Sequence, residues 1–221
     1  MPKRLVCLAT FSALLFAPHT RADDKPNFDK WEKEIATLEK RDKDAPPPKD
    51  AVLFVGSSSI RRWDVKKSFP DLDVINHGFG GSQIADSTHF APRIVLKNVP
   101  RIVVFYAGDN DLSGGKKPEQ VSDDFQDFAK LIHKELPKTK IIFISIKPSV
   151  LRWEQFDKQK KANELIEAFC KKNDYVTYVD VVKPMLGDDG KPRKELFVAD
   201  GLHLTDKGYE VWAGLLKPLL K

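Results

Sequence analysis

The sequence predicts one α/β domain, a three-layer α/β/α sandwich around a five-stranded parallel sheet. The first observation is a series of short apolar runs, which is typical of buried strands. The second is that the segments between these runs have helical periodicity, and strands that alternate with helices form parallel sheets with right-handed crossovers. The runs are residues 51–55, 73–76, 101–106, 140–146 and 176–182. This pattern leaves the order of the strands in the sheet open.

The first 22 residues have the pattern of a secretory signal peptide. Lys3 and Arg4 precede an apolar run over residues 5–17, and residues 20–22 provide a cleavage site with small side chains. The apolar run is shorter than the roughly 20 residues that a spanning helix needs. We therefore expect export to the periplasm or the medium and no stable membrane insertion after cleavage, with an uncleaved anchor as the alternative.

The charge balance gives no reason to expect a nucleic-acid partner. The full sequence of 221 residues has a formal net charge of +5, and cleavage after residue 22 removes Lys3, Arg4 and Arg21 but no acidic residue, which leaves +2. The sequence also has no basic run with interleaved aromatic residues, the usual pattern of a nucleic-acid surface.

Neither the histidines nor the cysteines predict a metal or a disulfide. His77, His89 and His133 have no metal-ligand spacing with one another or with a cysteine. Cys7 lies in the predicted signal peptide, which leaves Cys170 alone in a helical pattern as a buried free thiol. We expect no metal and no cofactor.

The helices can be placed in chain order. Residues 27–41 predict an amphipathic helix on the outside of the domain, and prolines 46–48 form a stiff connector to the first strand. The remaining predicted helices cover residues 118–136 and 153–172, and a last helix begins after Thr205 as N-cap. These boundaries divide the chain into a signal peptide (1–22), an N-terminal helix with its connector (23–48) and the main domain (49–221).

Residues capable of chemistry follow the predicted strands, and parallel strands bring their carboxyl ends to one edge of a sheet. The first strand is followed by Gly56-Ser57-Ser58-Ser59 and the second by a glycine-rich bend over residues 76–82. The third is followed by Gly108-Asp109-Asn110-Asp111, and Asp200-Gly201-Leu202-His203 precedes the last helix. Each block alone also fits a structural turn or cap, but their shared position at strand ends favours a common site.

Together these blocks fit acyl transfer. A serine hydroxyl needs a base to remove its proton, and His203 can act on Ser58 while Asp200 orients the imidazole. The oxyanion of a tetrahedral intermediate needs hydrogen-bond donors, for which the candidates are the backbone N–H groups of Ser58 and Gly81 and the side-chain amide of Asn110.

The four blocks resemble those of the SGNH, or GDSL-type, esterase and lipase family, in the branch of the platelet-activating-factor acetylhydrolase catalytic subunits. The resemblance covers roughly residues 51–220 and implies a flavodoxin-like fold. It implies Ser58 as nucleophile, Gly81 and Asn110 in the oxyanion hole, and Asp200 with His203 in the triad. The family's Gly-Asp-Ser is here Gly56-Ser57-Ser58, so the choice of nucleophile among residues 57–59 stays open.

Three further residues are candidate substrate contacts. Ser57 is next to the nucleophile, and His77 lies beside the glycine bend and is expected to line the pocket. Trp153 follows the fourth strand and can stack on a sugar face, although a core role fits equally well. Asp109 and Asp111 are interpreted as carboxylates that brace their loop.

The expected protein is an exported serine esterase that removes a short acyl group from a small-molecule or carbohydrate ester. Acetyl is the expected acyl group. A lipase or thioesterase for longer chains is the nearest alternative. A carbohydrate-binding protein that has kept the fold but lost turnover is the alternative from another class. The oligomeric state and the natural substrate do not follow from the sequence.

Overall fold

The computed structural model describes residues 27–221, so the predicted signal peptide lies outside the described residues. Five parallel strands form one sheet in the order β2-β1-β3-β4-β5. The strands are β1 (Val52–Gly56), β2 (Val74–Gly78), β3 (Ile102–Tyr106), β4 (Lys140–Ile144) and β5 (Val176–Val179). Each strand overlaps one predicted apolar run, and the predicted parallel sheet is confirmed.

Helices connect the strands and cover both faces of the sheet. They are α1 (Glu32–Asp44), α2 (Ser58–Arg61), α3 (Val65–Ser68), α4 (Ile84–Ile94), α5 (Asp109–Ser113), α6 (Pro118–Glu135), α7 (Phe156–Cys170), α8 (Val182–Met185) and α9 (Asp206–Leu216). The helix predicted over residues 27–41 begins later because Asp29–Trp31 form a 3₁₀ turn. Thr205 caps α9, since its hydroxyl accepts a hydrogen bond from the Gly208 N–H at 3.3 Å.

The core divides into two layers because consecutive side chains of a strand point to opposite faces of the sheet. Leu53 and Val55 of β1 belong to the layer that includes residues of α1, α4, α6 and α7. Val52 and Phe54 belong to the opposite layer, with residues of α2, α3, α8 and α9. The predicted three-layer α/β/α sandwich is therefore confirmed.

The strand order places the carboxyl ends of β1 and β3 at the centre of the sheet edge. β1 pairs with β2 on one side and with β3 on the other, so the chain crosses over β1 between β2 and β3. Such a reversal opens a crevice at the carboxyl ends of the two strands, where open α/β sheets bind their ligands. The serines after β1 and Asn110 after β3 both lie at this crevice.

Helix α1 is packed into the domain by an apolar face and by ion pairs. Ile35 and Leu38 are buried in the layer of α4 and α6. On the outer side, Glu39 accepts hydrogen bonds from Arg93 at 2.6 Å and from Lys97 at 2.9 Å. The helix is thus fixed to α4 and to the segment that follows α4.

The Glu39 ion pairs generate a prediction about acid stability. Hydrogen bonds from Arg93 and then from Lys97 lower the pKa of Glu39 from 4.5 to about 2. A carboxylate with a lowered pKa stabilises the folded state above pH 4.5, and this contribution is lost as the pH falls towards 2. Glu39→Gln should lower the free energy of unfolding by up to about 1 kcal/mol at pH 7, the upper range for a surface pair. Urea titration should find a smaller difference at pH 3, and an equal difference at both pH values would contradict the ion pair.

The end of β1 generates a second prediction, because Gly56 approaches the neighbouring strand closely. Gly56 has φ +137°, and a Cβ atom there would lie 1.9 Å from the carbonyl oxygen of Tyr106 on β3. Gly56→Ala should lower the free energy of unfolding by at least about 3 kcal/mol through strain and steric overlap. The matched control is Gly190→Ala, which has φ +71° but no atom within 4 Å and should cost only about 1–2 kcal/mol. Equal losses in urea titrations would show that the close approach is unimportant.

Candidate active site

The turn between β1 and α2 presents one of three consecutive serines to a histidine. The Ser58 hydroxyl lies 2.9 Å from Nε2 of His203. Ser57 and Ser59 on either side are buried, with 3% and 4% of their surface exposed, whereas Ser58 is half-buried. The geometry therefore selects Ser58 among the three hydroxyls for contact with the imidazole.

Two side chains outside the serine turn hold the short helix α2. The side-chain amide of Asn76 donates to the carbonyl oxygens of Ile60 at 2.7 Å and of Trp63 at 2.9 Å. The Tyr209 hydroxyl of α9 donates to the carbonyl oxygen of Ser59 at 2.9 Å. Ser59 and Ile60 belong to α2 and Trp63 follows it, so these bonds fix the helix that begins at Ser58.

Asp200 and His203 form a compact hydrogen-bonded unit on the loop before α9. Oδ2 of Asp200 lies 2.6 Å from Nδ1 of His203, while Oδ1 accepts the backbone N–H groups of Leu202 and His203 at 2.8 and 2.9 Å. Because the carboxylate accepts the Nδ1 proton, Nε2 is left as the acceptor for the Ser58 hydroxyl. The sequence spacing of three residues thus gives the predicted pairing of acid and base.

The hydrogen bonds to Asp200 keep this carboxylate ionised. Burial alone would raise the pKa of Asp200, but the bonds from the His203 ring and from the two backbone N–H groups outweigh it and lower that pKa well below its usual range. About 41% of the Asp200 side chain is exposed to solvent, compared with 14% for His203. The acid therefore lies at the open edge of the site.

The loop after β4 packs against the loop that carries Asp200 and His203. The backbone N–H of Leu151 donates to the carbonyl oxygen of Gly201 at 3.0 Å, and within the loop before α9 the Val198 N–H donates to the His203 carbonyl oxygen at 2.9 Å. Val150, Leu151 and Val198 are exposed apolar side chains on these two loops. Val150 lies against Gly201, where a Cβ atom would be 3.2 Å from the Val150 Cβ atom.

The three candidate oxyanion donors have hydrogen-bonding capacity left. Among the residues that the structure describes, the backbone N–H groups of Ser58 and Gly81 donate to no protein acceptor, and Gly81 is exposed. The Asn110 amide nitrogen donates one proton to the carbonyl oxygen of Ser82 at 3.0 Å and keeps its second proton for another acceptor. Asn110 is thereby attached to the glycine bend, next to Gly81.

Arg152 fixes the orientation of the Asn110 amide, a role that the sequence analysis did not identify. Its Nη1 atom donates to Oδ1 of Asn110 at 3.1 Å and to Oδ2 of Asp109 at 2.8 Å. Gln159 of α7 donates to the other oxygen of Asp109 at 3.0 Å. Because a guanidinium only donates, the amide oxygen must face Arg152 and the amide nitrogen must face Ser82. The one indication of this role in the sequence is the position of Arg152, which directly precedes the candidate substrate contact Trp153.

The carboxylates on either side of Asn110 brace the loop, in agreement with the sequence interpretation. Asp109 contacts Arg152, as described above. Asp111 accepts hydrogen bonds from the backbone N–H of Ile84 at 3.2 Å and from Lys116 at 3.0 Å. Burial raises the pKa of Asp111 despite the nearby Lys116 ammonium. Both carboxylates therefore connect the loop after β3 to neighbouring elements.

The structure corrects the prediction that His77 lines the pocket. His77 is fully buried, its Nδ1 atom lies 2.6 Å from the carbonyl oxygen of Ile94, and its Nε2 atom lies 3.0 Å from Asp42. The residue belongs to β2, and its side chain points away from the sheet edge towards α1 and α4. It therefore connects α1 to the domain and has no surface for a substrate.

The other two candidate substrate contacts stay predictions. Ser57 donates its backbone N–H to the carbonyl oxygen of Tyr106 at 3.0 Å and exposes little surface. Trp153 is half-buried and stacks on Phe156 with 4.5 Å between the ring centroids. One face of the Trp153 ring is thus covered by protein.

The described residues contain no group of three or more histidine, cysteine, aspartate or glutamate side chains that could hold a metal ion. Within residues 27–221, no helix is both long enough and apolar enough to cross a membrane. Cys170 is a buried free cysteine, and burial raises the pKa of its thiol to about 12. A thiol with such a pKa is a poor nucleophile at neutral pH.

Comparison with known proteins identifies the family. A model of the GDSL-like lipase/acylhydrolase family matches residues 57–211. A solved structure of a Streptococcus pneumonia protein, provisionally described as a platelet activating factor, has a TM-score of 0.78 and 21% identity over 88% of this chain and 94% of that chain. A GDSL-like lipase from Bacteroides thetaiotaomicron has a TM-score of 0.70 and 25% identity over 88% and 97% of the two chains. The acetyl xylan esterase AlAXEase has a TM-score of 0.64 and 19% identity over 77% and 99%.

Comparison with curated protein sequences gives no match. The family match nevertheless covers well over half of the chain and extends from Ser57, next to the first candidate residue, to Val211 in α9. It includes Ser58, Gly81, Asn110, Asp200 and His203. The solved structures share the three-layer fold built on a parallel sheet. The chain therefore belongs to the GDSL-like lipase/acylhydrolase family of ester-hydrolysing enzymes.

Proposed function

We propose that this esterase is an exported serine hydrolase that removes a short acyl group from a carbohydrate ester, with acetyl as the preferred group. The observation that carries the proposal is the continuous hydrogen-bonded chain from Ser58 through His203 to Asp200, with distances of 2.9 and 2.6 Å. This order of hydroxyl, imidazole and carboxylate is the arrangement that activates a serine in unrelated hydrolases.

In the first step, Oγ of Ser58 attacks the carbonyl carbon of the ester and transfers its proton to Nε2 of His203. The carbonyl π electrons move to the oxygen and form a tetrahedral oxyanion. Collapse of this intermediate breaks the bond to the alcohol oxygen, which takes the proton from His203 and leaves as the alcohol. Asp200 stabilises the transient imidazolium without accepting its proton.

In the second step, water hydrolyses the acyl-enzyme. His203 removes a proton from a water molecule, and the resulting hydroxide attacks the acyl carbon. The second tetrahedral intermediate expels Oγ of Ser58, which recovers its proton from His203. The carboxylic acid is released and the enzyme returns to its starting state.

The backbone N–H groups of Ser58 and Gly81 and the free proton of the Asn110 amide are the proposed donors to the oxyanion. Such donors accelerate the reaction because they bind charge that develops only in the transition state. Arg152 and Ser82 support this role, since they hold the Asn110 amide in one orientation.

The acyl preference and the substrate class are supported by one structural neighbour and by the expected export. AlAXEase, which shares the fold, is described as an acetyl xylan esterase, and export would bring this enzyme to polysaccharides outside the cytoplasm. An open site suits a bulky polar ester, and both Gly81 and Asp200 are exposed. Export itself rests on the signal-peptide pattern of residues 1–22.

Ser58→Ala tests the nucleophile. The purified protein should hydrolyse p-nitrophenyl acetate faster than the butyrate and octanoate esters, release acetate from acetylated xylan and react with a fluorophosphonate probe. Ser58→Ala should lose all these activities, while the neighbouring Ser59→Ala should keep hydrolysing the acetate ester. A faster rate on octanoate would favour a lipase or thioesterase. A wild type that neither hydrolyses the esters nor reacts with the fluorophosphonate would favour a binding protein. An active Ser58→Ala variant would show that the assigned serine is wrong.

Asp200→Asn tests the acid. Asparagine can accept the same two backbone hydrogen bonds, but its amide cannot hold the Nδ1 proton of His203, so kcat should fall roughly 1,000- to 10,000-fold. The matched control is Asp189→Asn, because Asp189 accepts one backbone N–H in an exposed turn, at 2.9 Å from Lys191. The control should keep its kcat. Unchanged turnover in Asp200→Asn would remove this residue from the triad.

A further inference from the structure

Glu34 connects the N-terminal helix α1 to two parts of the candidate site. Its Oε1 atom accepts a hydrogen bond from the backbone N–H of Gly80 at 3.2 Å and from Nη1 of Arg61 at 2.9 Å. Gly80 precedes the candidate oxyanion donor Gly81, and Arg61 is the last residue of α2, which begins at Ser58. One carboxylate oxygen thus joins the helix of the nucleophile to the glycine bend.

The glycine bend has one hydrogen bond of its own, from the Ser82 hydroxyl to the Phe79 carbonyl oxygen at 2.9 Å, and Glu34 adds a contact from outside the bend. Gly80 and Gly81 have no Cβ atoms and therefore wide backbone freedom. The bend is anchored before them by the bond from the Phe79 N–H to the Gly56 carbonyl oxygen at 2.9 Å. It is anchored after them by the bond from Asn110 to Ser82. Between these anchors, Glu34 fixes the peptide unit directly before the one that carries the Gly81 N–H.

Packing contacts support the same role. The Arg61 guanidinium covers Gly80 so closely that a Cβ atom there would lie 2.9 Å from Nη1. Trp31, directly before α1, lies against Gly81, where a Cβ atom would be 3.4 Å from its ring. The same indole packs edge-to-face on Phe79 with 5.6 Å between ring centroids. The start of α1 therefore covers the bend.

From these contacts we propose that Glu34 is a positioning residue that completes the oxyanion hole from outside residues 57–211, the part of the chain matched by the family model. The inference rests on the proposed function, in which Gly81 donates to the oxyanion. Loss of the Glu34 acceptor removes one hydrogen bond from the Phe79–Gly80 peptide, and a rotation about the backbone torsions of Gly80 then displaces the Gly81 N–H. Ground-state binding changes little because the oxyanion exists only in the transition state and the tetrahedral intermediate.

The test compares Glu34→Ala with Glu39→Ala. Both substitutions remove a glutamate from the same helix, but within residues 27–221 the ion pairs of Glu39 are with Arg93 and Lys97 and not with the bend. With p-nitrophenyl acetate, Glu34→Ala should lower kcat about 10- to 100-fold, the size expected for a donor misplaced by about 1 Å. Its KM should change less than about twofold. Glu39→Ala should lose stability in urea and keep its kcat.

Two further variants separate positioning from charge and folding. Glu34→Gln keeps an acceptor oxygen at the same length and should recover most of kcat. Glu34→Asp keeps the charge but withdraws the oxygen by one CH₂ group, so its kcat should remain low. Equal kcat values for all folded Glu34 variants and for Glu39→Ala would overturn the inference. Should Glu34→Ala not fold, the comparison of Glu34→Gln with Glu34→Asp decides alone.

Ser58→Ala, measured beside these variants, separates this inference from the proposed function. An inactive wild type or an active Ser58→Ala variant would refute the serine mechanism itself. An active wild type, an inactive Ser58→Ala and a full kcat in Glu34→Ala would refute only the role of Glu34.

Discussion

The close contact between the ends of β1 and β3 is the constraint on which the rest of the site depends. Gly56 lies against the Tyr106 carbonyl group, and the next N–H along the chain, that of Ser57, donates to the same carbonyl oxygen. This contact fixes where β1 ends and where α2 begins. Since β3 leads directly to Gly108 and Asn110, the same contact also fixes the distance between the serine turn and the loop that carries the amide.

Around this frame, the reactive groups are oriented by polar contacts that originate far away in the chain. Asn76 and Tyr209 hold α2, Arg152 holds the Asn110 amide, and Glu34 holds the glycine bend. Each of these side chains comes from a different element. Hydrogen bonds are directional, whereas apolar packing is not. The two core layers therefore define the fold, and this set of polar contacts defines where the donors and acceptors of the site point.

The sequence predicts the strands well because they follow from simple periodicity, whereas Ser58, Asp200 and His203 are singled out by their positions outside the strands and by their resemblance to the motifs of a known family. Apolar runs locate the strands, and parallel strands bring the residues that follow them to one edge. Strand order depends on packing between distant segments, which periodicity does not describe. The prediction that His77 lines the pocket is wrong for a similar reason. The side chain of a strand residue points to one face of the sheet or the other, and which face it is depends on register. Arg152 lies in a loop and Glu34 on the surface of a helix. At such positions the sequence pattern is compatible with any long polar side chain.

The serine at position 57, where the family resemblance leads one to expect aspartate, is explained by the local backbone. The Ser57 N–H donates to Tyr106, and its carbonyl oxygen accepts the N–H groups of Ile60 and Arg61 at 2.9 and 3.1 Å. Its side chain makes no capping hydrogen bond to α2. Residue 57 thus stabilises the turn through hydrogen bonds of its main-chain atoms, which do not depend on the identity of the side chain. A small buried side chain is sufficient there, and Ser58 reaches His203 without a carboxylate beside it.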